Sequence, residues 1–354
     1  MPTAQALVPL PGADRHLAPL CGHFAEHGAV VTQDAAGWHI SHALGRASLS
    51  AGRDTLHLRA EAGELGDLLQ LRGILAWHVE QLEAGTGGAP EVRWTGDGCD
   101  DDRLPNLRVM RVLENRVLTP AMRRVTLAGD DLAHFAGRRA IHVRLLLPPP
   151  GVRDPEWPRA GANGLPRWPK GPRAAVPRVY TLRRVDVAAG RVEVDMVVHG
   201  DEGPGTRWAR RAAPGDPVGM IGPGGGMPSA APWVLLAGDE TALPAIARAV
   251  EAMPPGARGE VLIEVDGPEE EQPLAAPPGV RLRWLHRHGA APGTGDGLIE
   301  AVGAVPWPAE DGARAWIAAE ARTAEALRRL FREERGLPRE AVTTAAYWRL
   351  GAAG

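Results

Sequence analysis

Apolar and polar positions follow three rhythms in turn along the chain. In the first part, Leu68, Leu69, Ala76, Val79 and Leu82 recur at helical spacing from Leu65 onward and predict one long amphipathic helix with a single buried stripe. Ahead of it the pattern predicts a helix over 18–27 and short strands over 37–41, 46–50 and 55–59. A stretch holding Gly85, Gly87 and Gly88 then reads as an exposed linker, continued with charge over 97–103.

From 107 to about 228 the rhythm becomes that of short strands, at 107–116, 122–127, 141–147, 179–185, 191–198 and 217–221, and predicts an antiparallel barrel. The stretch 151–177, rich in Pro, Gly and Trp, interrupts it and reads as a mobile loop near a site. From 233 strands and helices alternate. Strands are expected at 233–237, 260–266, 280–286 and 315–318, with Leu243, Ile246, Ala247 and Val250 forming a helical stripe. A last helix, capped by Thr323 and ended by Gly336, turns Leu327, Leu330 and Phe331 inward. The fold class expected is therefore multidomain α+β. A small N-terminal α/β sandwich (1–88) and a linker (89–106) precede a central antiparallel β-barrel (107–228) and a C-terminal α/β domain with a parallel sheet (229–354).

Composition narrows the setting without identifying chemistry. The 354 residues are 44% hydrophobic and 23% charged, ordinary for a globular protein, and the net charge of -3 provides no global field for nucleic acid. Any anion site must be a local basic pocket. Lys170 is the single lysine, an arginine bias that reflects base composition. Cys21 and Cys99 are too few and too far apart for a zinc site or a disulfide framework, which fits a reducing cytoplasm. The first ten residues lack a secretory pattern, and no apolar run is long enough for an integral membrane segment.

Three stretches carry chemistry, in the order RVYTLR at 178–183, HGDEGPGTRWA at 199–209 and AGDETALPAI at 237–246. They read as a flavin site followed by a nicotinamide site. Arg178 and Tyr180 are two apart on a strand and face one ligand together, whereas Arg183 has the opposite parity and needs the strand to end or bend first. Thr181 presents a hydroxyl or N–H to the flavin edge. The glycine-rich turn after His199 opens a short helix, whose N–H groups can meet phosphate. His23, His27, His39, His42, His57 and His78 invite a metal reading, but only His23 and His27 have helical ligand spacing, so packed or solvated histidines are expected and no metal.

With the ending AYWRLG at 346–351, these motifs resemble the siderophore-interacting protein family, flavin-dependent ferric-siderophore reductases related to ferredoxin-NADP reductases. The resemblance covers roughly the last 250 residues. The N-terminal segment is similar to a small uncharacterised α/β domain and implies no activity. Carried over by position, the family implies that Arg178 and Arg183 bind the pyrophosphate side of FAD, that Tyr180 stacks on the ring, and that Thr181 approaches its reactive nitrogen. Tyr180 and Thr181 are the catalytic candidates, with Leu182 between the binding residues. Gly203, Pro204, Gly205 and Thr206 would wrap the phosphates, with His199, Gly200 and Trp208 in the same set. Asp239, Glu240, Thr241 and Ala242 would border flavin and nicotinamide, with Glu320 in the cofactor-binding set, and Tyr347 to Arg349 would return near the active face. Ala319 and Ala346 stand where the family commonly has glycine, and a methyl group there would narrow the nicotinamide pocket.

The implied activity is FAD-dependent reduction of a ferric siderophore by NADPH or NADH, or by reduced ferredoxin, with Fe(II) released in the cytoplasm. A two-electron donor and a one-electron acceptor need a flavin between them, and the redox chemistry is the cofactor's. Arg144, Lys170, Arg173 and Arg349 are the candidates for a basic siderophore pocket, and Arg287 for a 2′-phosphate. A general flavin reductase or diaphorase, and a siderophore-binding protein with little hydride transfer, are the alternatives.

Overall fold

The computed structural model describes residues 1–26, 29–82, 90–137, 141–198, 203–226, 231–309 and 311–352. The chain divides into two compact units, Met1–Leu107 with Glu156–Ala174, and Arg108–Pro155 with Ala175–Gly354.

In the first unit, six strands form an antiparallel sheet in the order Val30–Asp34, Gly37–His42, Gly45–Ala51, Thr55–Glu61, Thr3–Pro9 and Thr95–Gly96. Strict alternation along Thr3–Pro9 and Thr55–Glu61 buries Ala4, Ala6, Val8, Leu56, Leu58 and Ala60 on one face. Helices Asp14–Glu26 and Leu65–Glu80 share that core. The stripe of the second helix is Leu68, Leu71, Leu75, Ala76 and Val79, so Leu71 and Leu75 hold the inner position that spacing assigned to Leu69. His23 and His78 stack with ring centroids 5.0 Å apart, His78 packs on Phe24, and His27 lies outside the described residues.

The second unit opens with a seven-stranded sheet in the order Val176–Thr181, His142–Leu147, Pro217–Gly224, Leu107–Thr119, Met122–Ala128, Arg191–Val197 and Arg184–Asp186. Its two edges are consecutive pieces of chain joined only by Leu182 and Arg183, so the meander closes on itself as a barrel, which removes open strand edges. The strand expected over 179–185 is thus two strands with a corner between them. Met110, Val112, Val125, Leu127, Val143, Leu145, Val194 and Met220 fill the interior. One charged pair is buried beside them. Arg124 holds Asp195 through two hydrogen bonds of 2.6 and 2.8 Å, and the Asp195 side chain is 1% exposed. Removing Asp195 leaves Arg124 its Glu193 contact at 3.3 Å, so Asp195→Ala is expected to cost about 3 kcal/mol in denaturant unfolding, the low end for a broken buried pair, and Asp195→Asn less.

Five parallel strands follow, in the order Val280–His286, Gly259–Val265, Val234–Asp239, Arg314–Glu320 and Val342–Trp348. Every residue of Val234–Asp239 is buried, as expected for a central strand covered on both faces. The helix Ala321–Arg329 is capped by Glu320, whose carboxylate accepts Arg322 N–H at 2.5 Å; Thr323, expected as the cap, lies inside the helix. Gly336, at φ +66°, follows the wider turn Leu330–Glu334 that ends this segment. Asp239, Val265, His286, Glu320 and Trp348 all stand at the carboxyl edge of this sheet, where open α/β sheets bind ligands. Glu270 joins the sheet to the barrel, accepting from Thr119 Oγ1 at 2.5 Å and from Ala121 N at 2.7 Å.

The stretch 151–177 is not the free loop its composition suggested. Its middle, Glu156–Ala174, folds with the first unit and carries the strand pair Arg159–Ala160 and Pro166–Arg167.

Candidate functional site

Strand Val176–Thr181 pairs with His142–Leu147 so that Arg178 lies opposite Leu145 and Tyr180 opposite Val143, while Val179 faces Arg144 and Thr181 faces His142. Arg178 and Tyr180 therefore share a face, as their spacing requires, and Arg144 stands on the other. The Tyr180 ring packs against the barrel core, and burial pushes its phenol up to about 12, against the pull of Arg178. The Tyr180 hydroxyl rests on Gly205, in the first turn of helix Pro204–Arg211. An ideal Cβ on Gly205 would fall on that oxygen and within 3.3 Å of Cζ.

Gly203 is the N-cap of this helix, and among the described residues no side chain caps its first N–H groups at the positive end of the dipole. Thr206 and Trp208 are buried in the same helix. His199 and Gly200 lie outside the described residues.

The two arginines of the motif have different fates. Arg178 donates through Nη1 to the neighbouring Pro177 carbonyl at 2.7 Å and has no carboxylate partner among the described residues. Arg183, beyond the end of the strand, turns to Glu251, donating to both its oxygens at 2.9 and 2.5 Å, and its Nε lies 3.8 Å from Asp195. Of these two, Arg178 alone keeps its guanidinium without a carboxylate among the described residues. An aromatic platform, an uncapped helix start and an open guanidinium on one side of the strand fit the flat ring and diphosphate of FAD.

Thr181 points to the opposite face, and burial pushes the Tyr347 phenol up to about 12, against the pull of the Thr181 side chain. His142 stands beside it in register; burial, then Arg144, lowers its pKa and keeps the imidazole neutral. The next residue along, Trp348, donates Nε1 to Asp239 Oδ2 at 2.8 Å, and Glu320 N donates to the same oxygen at 3.0 Å. Thr241 donates to Asp239 Oδ1 from its N–H at 2.9 Å and its hydroxyl at 2.5 Å. The fully buried Asp239 carboxyl is raised in pKa by desolvation and then by the Glu240 charge, against its hydrogen bonds. Glu320 accepts Leu350 N at 3.1 Å, so two carboxylates tie the chain's last motif to the sheet. Asp239, Thr241, Glu320 and Tyr347 thus lie together at the carboxyl edge of the parallel sheet. His142 was missed; it carried no signal apart from its neighbours.

Glu240 does something different. It receives two hydrogen bonds of 2.8 Å from Arg287, whose side chain is 8% exposed and lies 3.6 Å from Glu264 as well. Arg287 is therefore already neutralised and is not an open cation for a 2′-phosphate. The buried Ala242 packs its methyl under Gly238. Ala319 and Ala346 are direct neighbours on adjacent strands; the Ala319 methyl is buried in the cluster with Leu235, Ile317 and Leu327, and Ala346 is exposed. The Ala319 methyl group thus fills core and does not narrow a nicotinamide pocket. Of the four cations expected around a substrate, Arg144 and Arg349 belong to the second unit, while Lys170 and Arg173 belong to the first, where Arg173 is paired with Glu156 at 2.6 Å. Among the described residues no group of three or more His, Cys, Asp or Glu is placed to hold a metal ion, and no helix is long and apolar enough to cross a membrane.

Comparison with known proteins matches three family models in succession. Residues 5–95 match an uncharacterized protein conserved in bacteria, 111–227 the siderophore-interacting FAD-binding domain, and 231–351 the siderophore-interacting protein. The ferric vibriobactin reductase of Vibrio cholerae is 32% identical over 251 residues, 69% of this chain and 90% of that protein. An uncharacterized protein of Mycobacterium tuberculosis is 37% identical over 260 residues, covering 69% and 91%. The crystal structure of a siderophore utilization protein from T. fusca superposes with a TM-score of 0.59 at 37% identity, covering 70% of this chain and 94% of that one.

Proposed function

Because this chain belongs to the siderophore-interacting protein family, with that family's FAD-binding domain in its barrel, we propose that it reduces ferric siderophores with electrons taken from a nicotinamide nucleotide. The observation that carries this reading is the Tyr180 ring seated on Gly205 at the open start of helix Pro204–Arg211, with Arg178 on the same face. FAD, when bound, supplies the transfer between a two-electron donor and a one-electron acceptor. The residues do the rest. Arg178 and the N–H groups after Gly203 offset the diphosphate charge, Tyr180 orients the ring, and the Trp348–Asp239 hydrogen bond holds the C-terminal strand at the carboxyl edge of the sheet. Hard oxygen ligands favour Fe(III) over Fe(II), so reduction loosens the metal in a siderophore, and no acid residue is needed to break a bond.

The test is direct. Purified protein is expected to be yellow, to bleach anaerobically on addition of NADH or NADPH, and to recolour when a ferric siderophore is added, with Fe(II) captured by a chromogenic chelator. Bleaching without iron-dependent recolouring would favour a general flavin reductase. Failure of both nucleotides, with recovery on adding reduced ferredoxin, would move the donor and leave the flavin role standing.

The pairing of Arg287 sharpens the donor. With its guanidinium held by Glu240 and flanked by Glu264, an added 2′-phosphate meets carboxylates and no open cation there, so kcat/KM for NADH is expected to be no lower than for NADPH. A preference for NADPH would show that a different cation serves the phosphate.

A further inference from the structure

The segment Glu156–Ala174 is inserted in the barrel's sequence yet built into the N-terminal domain's structure. Its neck is closed by Glu156 N donating to Arg173 O at 2.9 Å and by the Arg173–Glu156 ion pair. Beyond the neck, the N-terminal domain holds it at several points. Trp94 Nε1 donates to Asn163 O at 3.1 Å, Asn163 Nδ2 donates to Glu80 Oε1 at 2.9 Å, and Ala160 N donates to Asp102 O at 2.7 Å. Arg159 reaches Asp102 at 2.7 Å, and Leu165 packs on the domain's core. Gly73 lies under the Gly164 carbonyl, with 3.2 Å left for a Cβ.

This excursion leaves the barrel after Leu147 and returns at Val176, two residues that face each other as the outermost pair of their strands. The returning strand is the one that carries Arg178, Tyr180 and Thr181. A long unstructured connection would charge its closure entropy to that strand pair, and such loops are uncommon inside compact domains. Seating 156–174 elsewhere leaves 148–155 and Ala175 as the connection, in which the Pro148 carbonyl accepts from Arg211 and Ala175 is 9% exposed. The ordering that a loose loop would demand on flavin binding has been met in advance.

We propose that the N-terminal domain is the positioning element of the flavin strand: by holding Glu156–Ala174 it presets Val176–Thr181 and so tightens binding of FAD. This role rests on the flavin reading above. Asn163, Trp94 and Glu80 are then positioning residues that act through the strand and touch no cofactor.

The experiment uses the full chain with Trp94→Phe and Asn163→Ala together, which removes the side-chain hydrogen bonds that Trp94 and Glu80 make to the excursion while leaving an aromatic ring in the core. Cleavage within 156–174 by a dilute protease is expected to accelerate, and the Kd for FAD, read by flavin fluorescence, to rise roughly tenfold, equivalent to about 1.4 kcal/mol. Leu49→Ala, which opens the same domain's core away from the excursion, is the control; it is expected to lower the melting temperature, leave the segment protected and leave the FAD Kd unchanged. Should Trp94→Phe fail to fold, Asn163→Ala with Arg159→Ala releases the same segment. An unchanged Kd in a chain whose excursion is demonstrably cleaved would overturn the proposal, as would an equal loss in Leu49→Ala. Wild-type protein that takes up no FAD is a separate result, and it would overturn the flavin reading itself.

Discussion

Gly205→Ala is expected to strip FAD from the protein while leaving the fold intact. Gly205 sits in a helix at an ordinary negative φ, where alanine normally gains up to about 1 kcal/mol over glycine, so backbone effects favour the variant. The harm comes from one contact. The new methyl group falls on the Tyr180 hydroxyl, and a ring walled in by the barrel core leaves by swinging away from the face it shares with Arg178. Losing an aromatic platform costs about 1–3 kcal/mol by analogy with base stacking, so the Kd for FAD is expected to rise between about five- and 150-fold. Tyr180→Phe removes the atom that is struck, and in the Gly205→Ala background it is expected to restore most of the affinity, with Cζ then the nearest ring atom. Titration of the apo-proteins with FAD checks both variants. Wild-type affinity in Gly205→Ala would remove Tyr180 from the site.

The second large effect is expected at Asp239. Its carboxylate satisfies Trp348 Nε1, Glu320 N, and both the N–H and hydroxyl of Thr241. Alanine leaves these four donors without their acceptor, at about 1–3 kcal/mol for the buried Glu320 N–H and less for the three that are partly buried, so a loss of about 3–5 kcal/mol in total is expected. Asparagine keeps the shape but offers an amide where one set of donors points, so its loss is smaller. The functional consequence follows from the tail. With Trp348 released, the adjoining Tyr347 loses its fixed place at the end of the last strand, so turnover falls while the barrel residues that hold FAD are untouched. Denaturant unfolding, flavin absorbance and steady-state rates together check this. An Asp239→Ala protein of wild-type stability would show that the tail is held by something else.

Charge pairing is where the reading of residues and the folded chain part company. Arg183 and Arg287 both looked like anion ligands, but each has a carboxylate partner far along the chain, Glu251 and Glu240 respectively. No spacing rule links residues that distant. The helix cap shows the same limit on a small scale: Thr323 has the right chemistry, but the turn from strand Arg314–Glu320 into the helix puts Glu320 at the N-cap. The captured excursion is the largest instance, because its Pro- and Gly-rich composition reports only that it forms no long element, not which core it joins.

What the amino-acid order determined by itself was everything set by near neighbours. The strand Val280–His286 matches its apolar pattern residue for residue, the parity of Arg178 and Tyr180 puts them on one face, and Arg183's opposite parity anticipates the corner after Thr181. Side-chain direction along a strand depends only on position in the chain, so it is legible there. What only the tertiary structure decided was which cations stay open, which methyl groups fill core, and which domain holds the segment before the flavin strand. Those outcomes depend on distances of a few ångströms between residues far apart in sequence, and the folded packing alone sets them.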